Sequence, residues 1–218
     1  MALSRDAIGD AALRLVQAAG LSSLSMRGVA TELNVAPGAL YWHVDSKQEL
    51  LALLAERILA APPFADGAES AGAEGAGAAT GAAVGAEAVR SAHELAVDLR
   101  DSLLAVRDGA EIVSFSRALH PDAPVPLQPF RRVLSNALPE READWAARTL
   151  VHFVLGSVAE QQNYAELARA GIRKSGASGS ADAADPTGDA ARHGQFDDES
   201  ARAAFAYGVD AILRGAGA

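Results

Sequence analysis

Two short helical stretches separated by about three residues constrain this chain more than any other feature. They lie in "SMRGVATELNVAPGALYWHVDSKQEL", Ser25 to Leu50. Ser25 is placed to cap a helix over "MRGVATEL", which carries Val29, Ala30 and Leu33 inward. Asn34 tolerates the left-handed backbone that ends a helix sharply, and Pro37 has its dihedral preset for the first turn of the next helix, "PGALYWH". Leu40 and Val44, four residues apart, face the core. Small Ala30 sits where the two helices must cross closely. That combination predicts a helix-turn-helix.

The flanks extend the pattern. Ser4 can cap a preceding helix with Asp6 near its positive end, and Ile8, Ala11, Ala12, Leu15, Val16 and Ala19 recur as one buried stripe up to a stop at Gly20. Ser46 and Glu49 form the capping box S-K-Q-E ahead of "LLALLAERILA". Farther on, the apolar residues keep helical spacing and no alternating, β-branched run suggests a sheet, so the expected fold class is all-α. Two Ala/Gly-rich stretches, 66–87 and 174–194, have little to bury and are expected to be flexible loops.

Charge and composition narrow the function classes. A net charge of -9 over 218 residues argues against indiscriminate coating of nucleic acid, which Lys and Arg drive by neutralising phosphates. The charge is uneven, however: residues 1–61 hold five basic and six acidic side chains, leaving -8 to the remainder. Cysteine is absent, which removes disulfides, thiolate zinc sites and cysteine nucleophiles. No run of eighteen apolar residues occurs, and Asp6 and Asp10 interrupt the N-terminal segment where a signal peptide needs apolar continuity. A soluble, cytoplasmic protein with no membrane partner is expected.

The stretch "AALRLVQAAGLSSLSMRGVATELNVAPGALYWHVDSKQELLALLAERIL" resembles the N-terminal DNA-binding domain of the TetR family of transcriptional repressors, and "LYWHV" is similar to the tetracycline repressor subgroup. Downstream, "LLAVRDGAEIV", "LVHFVLGSVAEQ" and "AFAYGVDAILRG" resemble, in order and spacing, that subgroup's ligand-binding, dimer-forming domain. The resemblance implies a helix-turn-helix domain over 1–46 and a ligand-binding and dimerisation domain over 47–218. It also implies that the third helix enters the major groove of a double-stranded operator. Arg27 would then make a bidentate contact to guanine, Tyr41 and Lys47 would hold phosphates with Ser25 as an added donor, and Trp42 and His43 would stand at the groove wall. Pro37, Gly38 and Ala39 would face base edges. Here the chain departs from the subgroup, which has polar side chains at the Pro37 and Ala39 positions, so thymine methyls and DNA shape must carry more of the readout. The plainer alternatives are that one of the three aromatics packs in the core and that Arg27 and Lys47 are ordinary solvated charges.

In the body, "TLVHFVLGSVAEQQNY" is apolar on most of its circumference, which predicts a helix buried on several sides, with Gly156 allowing another backbone to approach. The last helix, "DDESARAAFAYGVDAILRG", carries the small strip Ala204, Gly208 and Ala211 flanked by Phe205, Val209 and Ile212. The resemblance makes these two helices a homodimer interface, and paired half-sites on DNA ask for a dimer as well. It does not extend to a magnesium-chelated ligand. The subgroup's histidine four residues before Arg117 is Val113 here, an asparagine and a phenylalanine are Leu95 and Leu99, and a histidine after the fourth helix is Pro63. A valine cannot replace a metal-ligating imidazole, so no metal and no cofactor are expected.

The pocket left behind is apolar. Leu95, Leu99, Leu103, Val113, Phe115, Val151, Phe153 and Leu155 would line it, with Arg117, Gln128, His152 and Glu160 orienting a hydrophobic or aromatic effector such as a polyketide-like molecule. Against this, His152 could be a buried histidine satisfied by a carbonyl, and Glu160 an exposed or interface carboxylate. Control by a protein partner is a second reading. An enzyme is a third, since His120 with Asp122, or His152 with Glu160, could form an acid/base pair, but no nucleophile motif or phosphate loop accompanies them.

Overall fold

A computed structural model describes residues 3–59, 81–120, 126–171 and 198–217. Among these, every regular element is helical: α1 (Arg5–Ala19), a short 3-10 turn (Leu21–Ser23), α2 (Met26–Glu32), α3 (Pro37–Leu40), α4 (Lys47–Leu59), α5 (Gly81–Leu104), α6 (Gly109–Leu119), α7 (Leu127–Leu134), α8 (Glu140–Arg169) and α9 (Asp198–Gly215).

The head forms as its caps require. The Ser4 hydroxyl accepts the Ala7 N–H, the Ser25 hydroxyl accepts the Gly28 N–H, and Gly20 ends α1 at φ 80° with its N–H on the Val16 carbonyl. Asn34 turns the chain at φ 53°. The α4 box closes with the Glu49 N–H donating to Ser46 Oγ at 3.1 Å, while the Glu49 carboxylate reaches back past Ser46 to the Asp45 N–H at 2.7 Å. Ile8, Ala12, Val29, Leu40, Val44 and Leu54 bury completely into one core. Two expectations change. The third helix is shorter than its seven predicted residues: after Leu40 the chain tightens, the His43 N–H bonding the Leu40 carbonyl, because Tyr41 and Trp42 point to solvent and give no buried face to extend. Ala19 is exposed rather than buried, since the last turn of α1 opens onto a cleft beside the body.

α4 joins the two parts, packing against α1 on one side and, most extensively, α6 on the other. Arg57 on α4 holds Asp6 at 3.0 Å and also Asp10, clamping α1. In the body, α7 buries Leu127, Phe130, Val133 and Leu134 and turns Arg131 toward Asp144 of α8 at 3.0 Å. α5 begins at Gly81, so residues 81–87, expected to be loop, are helical; alanine is the strongest helix former, and adding a turn to an existing helix avoids the cost of nucleating one. Residues 66–80 and 174–194 lie outside the described residues.

α8 is also less enclosed than its composition suggests. Ala143, Ala147, Leu150, Val151, Val154 and Val158 are buried, but Thr149, His152, Gly156, Glu160 and Asn163 form an exposed stripe along the opposite side. α9 lays Phe205, Val209 and Leu213 on α8, with Phe205 stacked on Phe153 at 5.6 Å. At Gly208 any Cβ would strike the Phe153 ring. This glycine therefore serves contact within the chain, while Ala204 and Ala211 remain exposed.

Candidate DNA-binding surface and effector site

Five basic side chains lie in the head and on α4, and the way they are partnered separates them. Arg5 pairs with Glu49, Arg14 with Glu32 at 2.9 Å, and Arg57 with Asp6 and Asp10. Arg27 and Lys47 are exposed and form no ion pair among the described residues. An exposed cation left unpaired keeps its full charge for a polyanion. The two stand at the first turn of α2 and the first turn of α4, on either side of α3.

Between them lie the aromatics. Trp42 is 89% exposed and Tyr41 50% exposed, whereas His43 is half-buried with its carbonyl accepting from Arg5 at 2.9 Å. A tryptophan at such exposure has no packing role among the described residues and presents a large amphipathic face outward. Pro37 and Gly38 are exposed and Ala39 half-buried; a Cβ at Gly38 would meet nothing within 4 Å. Ser25 is exposed too, its oxygen accepting the Gly28 N–H at the cap of α2. Arg5 is what fixes this end: its bond, followed by the Asp45 N–H, holds the Glu49 carboxyl below the usual carboxylate range.

The residues expected to contact an effector do not converge. Leu95, Leu99, Leu103, Val113, Val151 and Leu155 are at most 7% exposed and sit in the continuous core. Phe115 is half exposed and lines a cleft of about 680 Å³ between head and body, together with Leu21, Lys47, Leu51, Glu111 and Leu119. Phe153 and Glu160 line a groove of about 910 Å³ between α8 and α9, with Gly156, Tyr164, Ala204 and Phe205. His152 and Gln128 are exposed; His152 follows Val151 by one residue, about a quarter-turn, and so leaves the buried stripe. It is not the buried, carbonyl-bonded histidine of the alternative reading, and it stands outside the interior of Leu99 and Val113. Asp122, paired with His120 in the enzymatic reading, lies outside the described residues.

Arg117 is the exception among the polar candidates. It is half-buried at the end of α6 and has no hydrogen bond or ion pair among the described residues. Burial, and then the neighbouring Arg148, push its guanidinium below the usual value. Arg148 itself is paired with Asp144 at 2.9 Å, so Arg117 is a partly desolvated cation that has no acceptor among the described residues. Val113, fully buried, offers no donor to a metal, and no cluster of three ligating side chains occurs among the described residues. Nor is any described helix long and apolar enough to cross a membrane.

Sequence reasoning missed the turn between α5 and α6. Gln17, Arg107, Asp108, Gln162 and Glu166 meet there. The available signal was "RDGA", noted for its similarity but not for what its residues do.

Comparison with known proteins gives the same outline. Residues 8–54 match the family described as bacterial regulatory proteins, tetR family, and residues 89–218 the tetracyclin repressor-like C-terminal domain. The tetracycline repressor protein class G of Vibrio anguillarum is 30% identical over 160 residues, which are 73% of this chain and 70% of that protein. A tetracycline repressor variant from Acinetobacter baumannii AYE, solved with minocycline, superposes with a TM-score of 0.67 at 28% identity, covering 98% of this chain and 96% of that one. BioQ with its double-stranded DNA operator superposes with a TM-score of 0.57 at 32% identity, over 78% of this chain and 94% of that one.

Proposed function

From the premise that this chain belongs to the TetR family and is a DNA-binding transcriptional regulator, not an enzyme, we propose that it represses transcription in the cytoplasm as a homodimer. It is released from a double-stranded operator by an apolar or aromatic small molecule. The observation that carries the DNA side is the pair of exposed cations, Arg27 and Lys47, without an ion pair among the described residues, that bracket in sequence an exposed Tyr41–Trp42. Arg27 reads guanine, Lys47 and Tyr41 hold phosphates with Ser25 as an added donor, Trp42 and His43 meet the groove wall, and Pro37, Gly38 and Ala39 approach the bases. BioQ bound to its operator supports this use of the head.

For the effector, the relative solved with minocycline supports a small-molecule ligand, while Val113 argues against a magnesium chelate. Leu95, Leu99, Leu103, Val113, Val151 and Leu155 are the apolar surroundings, opened by movement of the body helices. Arg117 supplies the polar anchor, and Gln128, His152 and Glu160 serve at the rim or across the dimer. Ligand selects a body conformation that moves α6 against α4 and takes the two heads off groove spacing. The test is a salt-dependent gel shift with the DNA flanking the chain's own reading frame, followed by challenge with aromatic polyketides. Specific retardation and release are expected; retardation that no small molecule reverses, but that a protein fraction does, would replace the effector with a protein partner.

A further inference from the structure

The turn between α5 and α6 is tied at once to the end of α1 and to α8. On the head side, Gln17 donates to the Ala105 carbonyl at 2.8 Å and accepts the Arg107 N–H at 3.0 Å. The Leu21 N–H donates to Asp108 Oδ2 at 2.6 Å, and Arg107 donates to the Ala18 carbonyl at 3.2 Å. On the body side, the same guanidinium donates to Glu166 at 2.6 Å, and the Gln162 amide spans the turn, bonding the Leu103 and Val106 carbonyls at 3.1 and 2.8 Å and the Ala110 N–H at 3.2 Å.

The sequence R-D-G-A is what builds it. Arg107 is long enough to touch both sides, and Asp108 adopts the left-handed φ of 57° that directs its carboxylate to the head. Gly109 is required because a Cβ there would collide with the Leu103 carbonyl oxygen. Gly20 completes the match: a Cβ on it would press on Asp108 Oδ2 at 3.1 Å.

Space surrounds this knot. Gly20, Leu21, Arg107, Asp108 and Glu166 form one wall of the 680 Å³ cleft, and Gln17, Arg107, Asp108, Gln162 and Glu166 line a polar cavity of about 190 Å³. Apolar packing between close-fitted surfaces resists small shifts, whereas hydrogen-bonded side chains bordering a cavity can exchange partners without moving a core.

We propose that this turn is a clasp that transmits the position of α8 to the reading head through Glu166, Arg107 and Gln17, a route separate from the packing of α6 on α4. It rests on the reading of the head as a DNA-binding element governed by the body. α8 carries both the exposed stripe and the clasp residues Gln162 and Glu166, so a displacement of α8 pulls Arg107 and, with it, the end of α1. A structural tie alone would hold the turn in place without making head and body respond to each other; coupling is the property that separates the two.

Hydrogen exchange in the full chain tests it without DNA or ligand. Glu166 touches neither the Leu21 nor the Arg107 N–H, yet Glu166→Ala is expected to speed exchange at both about tenfold, as Gln17→Ala does, with Glu142→Ala on the same helix as the silent control. An unchanged Leu21 rate in Glu166→Ala overturns the proposal. The second arm is a double-mutant cycle of Gln17→Ala and Glu166→Ala on affinity for the DNA flanking the reading frame, expected to show coupling of about fivefold or more; additive effects overturn transmission to DNA. If the unaltered chain retards no DNA specifically, the regulator reading fails, and the exchange rates still decide whether α8 acts on the head.

Discussion

Arg27 and Lys47 differ in chemistry although both are exposed cations with no ion pair among the described residues. A guanidinium fork can address two acceptors on one guanine edge, while an ammonium is a point charge suited to phosphate. Arg27→Ala is therefore expected to weaken operator binding by about 1–3 kcal/mol and to relax preference at one base pair. Lys47→Ala is expected to weaken all sequences alike and to make the slope of log affinity against log salt shallower by about one. Fluorescence anisotropy on single-base operator variants over a salt series separates the two patterns; identical patterns would mean that Arg27 touches phosphate only. A second expectation concerns Glu49, held below the usual carboxylate range by Arg5 and the Asp45 N–H. Since the folded value lies under the unfolded one, this stabilisation is complete above the unfolded value and is lost as pH falls through the folded one. Glu49→Gln cannot lose it. Melting temperatures of the two proteins should differ near neutrality and converge on acidification, and a constant gap would assign the role to shape alone.

At the scale of elements, the most informative substitution is Gly109→Ala. Nothing in helix propensity opposes it, since alanine is the better helix former, yet the Cβ meets the Leu103 carbonyl. Denaturant unfolding is expected to show a loss of about 1–3 kcal/mol from overpacking, whereas a gain would mean that the turn yields freely. The same contrast explains which elements were legible in the sequence. Ser4, Gly20, Ser25, Asn34, Pro37 and Ser46 act through their own backbone or their nearest neighbours, so local chemistry placed the head helices. The length of the third helix depended instead on whether Tyr41 and Trp42 had anything to bury against, which no local pattern records. Residues 81–87 read as loop because Ala and Gly carry no stripe; their helix comes from the long element they begin. The effector candidates were the least legible. The resemblance named Leu95, Leu99 and Val113 as pocket positions and Val151 was added as an apolar neighbour, but packed core and ligand cavity use the same aliphatic side chains, and only the folded structure separates them.

For the whole molecule, the proposed homodimer turns on one stripe. Thr149, His152, Gly156, Glu160 and Asn163 run along the outside of α8, and Ala204 and Ala211 are exposed on α9, small residues that let a second copy come close. A Cβ at Gly156 meets nothing within 4 Å among the described residues. That makes Gly156→Arg a clean probe, since a single chain accommodates the side chain in open space while a homodimer packed on this stripe does not. Sedimentation is expected to give a mass near twice 22.3 kDa for the unaltered protein and a monomer for the variant. Losing the dimer removes the second half-site contact, so specific operator affinity should fall far more than from any single head substitution, while the far-ultraviolet helical signal persists. If Gly156→Arg remained dimeric with full affinity, the stripe would not be the interface. The joint motion of two heads would then have to be sought on another face of the body.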